Sequence, residues 1–119
     1  MKKRILVIDD EEPIRALLTE ALTRKGFDVF GAASGAQAMR MAQENPPDLI
    51  ICDLHMEDTD GLLLIDELTK AMPQTPIMLL TGAMFDDETI RETILKKVSV
   101  YVEKTAPLKR ILEEVHRLV

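Results

Sequence analysis

Short, unbroken apolar runs, separated by longer amphipathic segments, are the feature that most constrains this chain. Such runs occupy Ile5–Ile8, Leu49–Cys52 and Ile77–Leu80. Aliphatic runs this short are typical of strands that are buried on both faces. The segments between them carry apolar residues at helical spacing, as at Ile14 and Leu18. This alternation predicts an α/β fold, in which a parallel sheet has helices on both faces.

The same pattern predicts five strands alternating with five helices. Two further strands are expected at residues 27–31 and 99–103, and the fourth helix at residues 86–97. Residues 57–61 are rich in acidic residues and glycine, which predicts a turn-rich loop before the third helix. The chain has 119 residues, a common size for one domain, so we expect a single domain over residues 1–119.

Composition and charge exclude several classes of function. The formal net charge is −6, which argues against a domain that binds nucleic acid or an anionic membrane surface. The chain has one cysteine, Cys52, so it has no internal disulfide framework and suits a reducing compartment. No apolar run approaches the roughly 20 residues that a membrane-spanning helix needs. We therefore expect a cytoplasmic globular domain with no nucleic-acid or membrane partner.

Reactive side chains stand at the ends of four predicted strands. Asp9 and Asp10 follow the first strand, Asp53 the third, Thr81 the fourth and Lys104 the fifth. Ligands of open parallel sheets bind outside the carboxyl ends of the strands. We therefore expect these five side chains to lie at one rim of the sheet.

Each of these residues also has a simpler interpretation. Asp10 and Thr81 could cap helices, Asp53 could be a turn residue, and Lys104 could be a solvated charge. Three carboxylates at neighbouring strand ends repel one another unless a cation compensates them. Hard oxygen ligands without histidine or cysteine favour Mg²⁺, which commonly has a phosphate as a partner. Together the set indicates a phosphoryl-transfer site in which Asp53 is the acceptor.

Five short motifs occur in a distinctive order. They are Ile5–Glu11, Leu49–Met56, Asp60-Gly61, Leu79–Gly82, and the pair of Tyr101 and Lys104, which are three residues apart. The first motif ends in Asp-Asp-Glu. In this order and spacing the whole chain resembles a response-regulator receiver domain of the CheY-like family. The resemblance implies a five-stranded sheet of order 2-1-3-4-5.

The resemblance also implies a chemistry for the rim. Asp53 would accept a phosphoryl group from a phosphohistidine on a sensor histidine kinase or a histidine phosphotransfer protein. Asp10 would bind Mg²⁺ directly and Asp9 mostly through water, and Asp53 and the backbone carbonyl of His55 would complete the site. Lys104 would pair first with Asp53 and then with the phosphoryl oxygens.

The implied function is a phosphorylation switch and not an enzyme, apart from its own phosphoryl transfer and dephosphorylation. Thr81 would move to the phosphoryl group, and Tyr101 would turn into the space that Thr81 leaves. The face formed by the fourth helix, fifth strand and fifth helix would then rearrange. Its partners would be a downstream effector and, after phosphorylation, a second copy of the chain. His55, two residues after Asp53, is the position that would influence loss of the phosphoryl group.

Several alternatives and departures accompany this interpretation. A haloacid-dehalogenase-type phosphatase would have an aspartate where His55 stands, and the acids after the first strand would repel a flavodoxin-type cofactor phosphate. A phosphorylation-independent pseudo-receiver, acting as a protein-interaction module, is the main alternative. The family commonly has proline at the positions of Glu57 and Thr105, and glycine at that of Lys97. The two prolines and the glycine belong to loops and the signalling face.

Overall fold

A computed structural model describes residues 2–57, 59–82 and 88–119. The predicted start of the fourth helix at residues 86–87 lies outside these ranges. Across the helices that are described, none has the length and apolar character needed to cross a bilayer. The elements in chain order are β1 (Arg4–Ile8), α1 (Glu12–Arg24), β2 (Asp28–Ala32), α2 (Gly35–Glu44), β3 (Leu49–Cys52), β4 (His55–Met56), β5 (Thr59–Asp60), α3 (Gly61–Ala71), β6 (Ile77–Thr81), α4 (Glu88–Lys97), β7 (Val100–Glu103) and α5 (Leu108–Leu118).

Five of the strands form one parallel sheet. Their order is β2-β1-β3-β6-β7, which confirms the expected order and the α/β class. At the carboxyl ends, Ile8 lies opposite both Ala32 and Cys52, and Thr81 lies opposite Glu103. Since the strands are parallel and end in register, the residues that follow them meet at one edge.

The sheet is covered on both faces, which explains its unbroken apolar strands. One face packs against α1 and α5, where Leu22 and Val115 are buried. The other face packs against α2, α3 and α4, where Ala38, Leu68 and Ile94 are buried. Successive side chains of a strand point to opposite faces, so every position of an inner strand must be apolar.

The starts of three helices follow from local sequence signals. Pro13 stands in the first turn of α1, where its missing N–H costs no helical hydrogen bond. Ser34 caps α2 by accepting a hydrogen bond from the amide of Gln37. Asp60 caps α3 by accepting hydrogen bonds from the amides of Leu62 and Leu63. These helix starts fix where the loops that lead into α1, α2 and α3 end.

The loop expected at residues 57–61 is only partly irregular. β4 and β5 form an antiparallel hairpin in which His55 lies opposite Asp60 and Met56 opposite Thr59. Met56 is buried in the core, so its side chain holds this short strand against the sheet. The second strand also begins at Asp28, one residue later than expected.

Candidate phosphoryl-acceptor site

The rim of the sheet brings the predicted site residues together. Asp53 follows β3, and its amide donates to the carbonyl of Ile8 at the end of β1 (2.9 Å). The amide of Lys104 donates to the carbonyl of Thr81 at the end of β6 (2.9 Å). Sheet hydrogen bonding therefore continues past the strands and fixes the backbone of the site.

Lys104 is a largely buried cation surrounded by carboxylates. Its side chain is 15% exposed, and its Nζ lies 2.9 Å from Asp53 Oδ2, 3.0 Å from Asp9 Oδ2 and 2.6 Å from Glu11 Oε2. Burial disfavours the charged form, but the three carboxylates outweigh it and hold the pKa of Lys104 above its usual value. Lys104 is therefore not a solvated surface charge.

Asp53 is buried and held on both oxygens. Its side chain is 2% exposed; Oδ1 accepts from the amide of His55 (3.1 Å) and Oδ2 from Lys104 (2.9 Å). These two donors orient the carboxylate at the end of its strand. The simpler interpretation of Asp53 as a plain turn residue does not account for its pairing with a buried lysine.

Asp9 has a buried oxygen that no hydrogen bond satisfies. Asp9 Oδ1 accepts from the amide of Glu11 (2.9 Å). Asp9 Oδ2 is buried and, within the described ranges, has no hydrogen-bond donor aligned with it, although Lys104 lies at ion-pair distance. Burial raises the pKa of Asp9, and the amide of Glu11 and Lys104 lower it only in part. An anionic oxygen in this position favours a further cation.

Asp10 completes an acidic cluster. Each of Asp9, Asp10 and Asp53 offers one carboxylate oxygen, and these oxygens lie within 4.8 Å of one another. Asp10 is exposed and accepts from the amide of Glu57 (3.0 Å), and the N-cap of α1 is Glu11, so Asp10 does not cap that helix. Three oxygen donors, one of them buried and unsatisfied, fit a hard divalent cation such as Mg²⁺.

Thr81 and Tyr101 lie on one face of the sheet. Thr81 is fully buried as the last residue of β6. Tyr101 on the neighbouring strand β7 pairs with Leu79 of β6, so it is two register positions behind Thr81 and on the same face. Its ring is half-buried against the core on the side of α4. The two residues therefore stand where a shift of one could affect the other.

Cys52, just before Asp53, adds no reactive group. It is fully buried, and its Sγ donates to the carbonyl of Asp53 (3.4 Å). Burial, together with the charges of Asp53 and Asp9, raises the pKa of the Cys52 thiol to about 12. The thiol is therefore protonated at neutral pH and cannot act as a nucleophile there.

This fold and this rim correspond to a family defined by sequence. Residues 5–116 match the response regulator receiver domain. The chain belongs to this family. The receiver domain thus has, in the expected order, the acidic residues, the threonine and the lysine that the sequence motifs indicated.

Curated relatives extend well beyond the region shared with this receiver domain. VraR of Staphylococcus aureus, a response regulator protein, is 35% identical over 119 residues, which cover 98% of this chain and 56% of VraR. PhoP of Bacillus subtilis, an alkaline phosphatase synthesis transcriptional regulatory protein, is 41% identical over 82 residues, 69% of this chain and 34% of PhoP. The matched region covers about half the length of VraR and a third of that of PhoP.

Solved structures share the whole fold. The chemotaxis protein CheY4 of Vibrio cholerae superposes with a TM-score of 0.89 at 25% identity. The match covers 100% of this chain and 100% of CheY4. The response regulator TrrA of Thermotoga maritima, solved in complex with Mg²⁺-BeF, has a TM-score of 0.85 at 32% identity, covering 98% of this chain and 99% of TrrA.

The three departures from the family pattern have visible structural consequences. Glu57 supplies to Asp10 an amide hydrogen that proline would lack. Lys97 pairs with Asp66 and so ties the end of α4 to α3. No peptide bond of the described residues is cis, so the Lys104–Thr105 bond is trans. Glu57 thus contacts a residue of the site, whereas Lys97 links two helices away from it.

Two residues of the site were not assigned a role from sequence. Glu11 contacts Lys104, which lies 93 positions away, and only the Asp-Asp-Glu run hinted at it. Gly61 packs so closely that an added Cβ would lie 2.1 Å from the carbonyl oxygen of Leu54. This close approach explains the Asp60-Gly61 motif, because any side chain at Gly61 would displace the loop that follows Asp53.

Proposed function

We propose that this receiver domain accepts a phosphoryl group on Asp53 from the phosphohistidine of a sensor histidine kinase or a histidine phosphotransfer protein. The observation that carries this proposal is the buried Asp53 carboxylate, which lies at a strand end, contacts Lys104 and belongs to the acidic cluster. Membership of the receiver family supports it. The single cysteine and the kinase partner favour a cytoplasmic setting.

The transfer exchanges one bond to phosphorus for another. A carboxylate oxygen of Asp53 attacks the phosphorus, an O–P bond forms, and the P–N bond to the histidine breaks. The imidazole nitrogen leaves with the electron pair. Because the transition state is loose and needs little covalent help, the protein mainly positions groups and balances charge. Lys104 supplies one positive charge at the acceptor oxygen.

The acidic cluster would hold the magnesium ion. Its ligands would be the carboxylates of Asp9, Asp10 and Asp53 and the backbone carbonyl of His55. When bound, Mg²⁺ would offset the charge of the phosphoryl oxygens and of these carboxylates. The complex of TrrA with Mg²⁺-BeF supports this assignment, because beryllofluoride mimics an acyl phosphate. Asp9 and Asp53 are held by backbone amides in orientations that leave their oxygens close together.

Phosphorylation would act as a switch on the distant face. The phosphoryl group adds charge and strong hydrogen-bond acceptors at Asp53. The hydroxyl of Thr81 would donate to it, and Tyr101 would turn inward on the same face of the sheet. The surface of α4, β7 and α5 would then favour a downstream effector or a second phosphorylated copy. Beyond its own phosphorylation and dephosphorylation we propose no enzymatic activity, and no nucleic-acid or membrane binding by this domain.

The test is the intact mass after incubation with Mg²⁺ and acetyl phosphate. We expect one phosphoryl adduct on the wild type and none on Asp53→Asn, which removes the acceptor but keeps the shape. If no adduct forms, a beryllofluoride–Mg²⁺ titration decides the matter. Tyr101 is the one tyrosine and the chain has no tryptophan, so its fluorescence reports this position alone. The absence of both an adduct and a beryllofluoride response would refute the proposal and favour a phosphorylation-independent interaction module.

A further inference from the structure

Glu11 stands apart from the other two carboxylates on Lys104. Its Oε2 makes the shortest of the three contacts with Nζ, 2.6 Å, yet its side chain is 58% exposed. The side chains of Asp9 and Asp53 are each 2% exposed. Glu11 therefore covers the solvent-facing side of the ammonium, while the two aspartates hold its inner side.

The side chain of Glu11 has no structural task in its own helix. Glu11 is the N-cap residue of α1, but its side chain makes no capping hydrogen bond. Its carboxylate instead reaches across the rim to a residue 93 positions later. The contact thus belongs to the site and not to the start of α1.

An ammonium group has three hydrogen-bond donors. Two of the donors of Lys104 are directed at Asp53 and Glu11, and Asp9 lies 3.0 Å from the same nitrogen. A phosphoryl group on Asp53 must approach Lys104 from the open side of the site. An oxygen of that group therefore competes with the carboxylate of Glu11, which also repels it.

We propose that Glu11 is a positioning residue that occupies the outward donor of Lys104 in the unmodified receiver and is displaced by the phosphoryl oxygens. By holding Lys104, Glu11 weakens the affinity of the site for the phosphoryl group. This inference rests on the proposed function, because it presupposes that Lys104 contacts a group bound to Asp53.

The test compares beryllofluoride binding at saturating Mg²⁺ in the wild type, Glu11→Gln and Glu12→Gln. Glu12 is the matched control, since it is the adjacent exposed glutamate and, within the described residues, contacts no cation. Exposed ion pairs are weak, so we expect Glu11→Gln to bind beryllofluoride about 1.5- to 5-fold more tightly than Glu12→Gln. The gain should shrink as salt is added, because screening weakens the pair in the wild type.

Two further readouts separate this role from a general effect of charge. The affinity for Mg²⁺ alone should be similar in the two variants, because each removes one negative charge and neither glutamate is a proposed ligand. The nitrogen chemical shift of Lys104 Nζ at neutral pH should change in Glu11→Gln and stay unchanged in Glu12→Gln, because Glu11 contacts that nitrogen. Equal beryllofluoride affinities in the two variants, or weaker binding by Glu11→Gln, would overturn the inference. A wild type that binds no beryllofluoride would instead overturn the proposed function.

Discussion

At the scale of single residues, several carboxylates of the site surround a single lysine ammonium group. The carboxylates of Asp9 and Asp53 are buried and share the one ammonium of Lys104 with Glu11. The exposed Asp10 adds a fourth negative charge at the same rim. Among the described residues, Asp9 Oδ2 also has no aligned hydrogen-bond donor. The burial of Asp9 underlies the first prediction, and the backbone donor to Asp10 underlies the second.

We expect Asp9→Asn to raise the free energy of unfolding at neutral pH in the absence of Mg²⁺. Burial raises the pKa of Asp9, so its folded-state pKa lies above the unfolded value. The charged form therefore destabilises the fold above the folded-state pKa, and this penalty is relieved as pH falls through that pKa. Urea unfolding across acid and neutral pH checks this, with the exposed Asp10→Asn as the control. A less stable Asp9→Asn at neutral pH would contradict it.

Glu57 offers a test of how Asp10 is oriented. The amide of Glu57 donates to Asp10 Oδ2 at 3.0 Å. Glu57→Pro removes this donor, and we expect it to weaken Mg²⁺ binding by about tenfold, as for other partners of metal ligands. Glu57→Ala keeps the amide and should bind Mg²⁺ nearly as the wild type does. Calorimetric titration with Mg²⁺ measures both, and equal affinities in the two variants would show that the amide does not matter.

At the scale of elements, the site depends on how α3 packs against the loop that follows Asp53. Residues 53–60 must return to α3 within a short span, and they do so through the hairpin of β4 and β5. The amide of Gly35 at the start of α2 donates to Thr59 Oγ1 (3.0 Å), which ties this hairpin to a second helix. Gly61 lets the first turn of α3 lie against the carbonyl of Leu54. The loop is thus held by its own hairpin, by α2 and by α3.

We expect Gly61→Ala to destabilise the receiver by about 3 kcal/mol or more, because a Cβ would overlap backbone that cannot move without disturbing the loop. Gly82→Ala is the matched control, since its Cβ would only touch the side chain of Lys104 at 3.7 Å. That variant should stay within about 1 kcal/mol of the wild type. Urea unfolding measures both free energies. A Gly61→Ala protein as stable as Gly82→Ala would show that the close approach is relieved at little cost.

At the scale of the whole molecule, the acidic rim would couple folding to the proposed magnesium ion. The chain carries a net charge of −6, and part of that charge is concentrated where the strands end. A cation bound by the assembled rim, and not by the unfolded chain, stabilises the fold by mass action. That the domain comprises all residues 1–119 stays a prediction.

We expect Mg²⁺ at 100 times its dissociation constant to raise the free energy of unfolding by about 2.7 kcal/mol. Asp10→Asn removes one proposed ligand that is exposed, so this variant should fold but gain less at the same Mg²⁺ concentration. Thermal unfolding with and without Mg²⁺, and after chelation, measures the difference. Equal gains in the wild type and Asp10→Asn would place the ion elsewhere.

The order of apolar runs determined the architecture and the rim. Strands buried on both faces must be continuously apolar, so Ile5–Ile8 and Leu49–Cys52 could be recognised from the sequence, and the residues after them had to meet at one edge. Asp9, Asp53 and Lys104 were found in this way. Only the tertiary structure decided which partner each charge takes. The contacts of Glu11 with Lys104 and of Asp10 with the amide of Glu57 join residues 93 and 47 positions apart, and no local pattern specifies such distances.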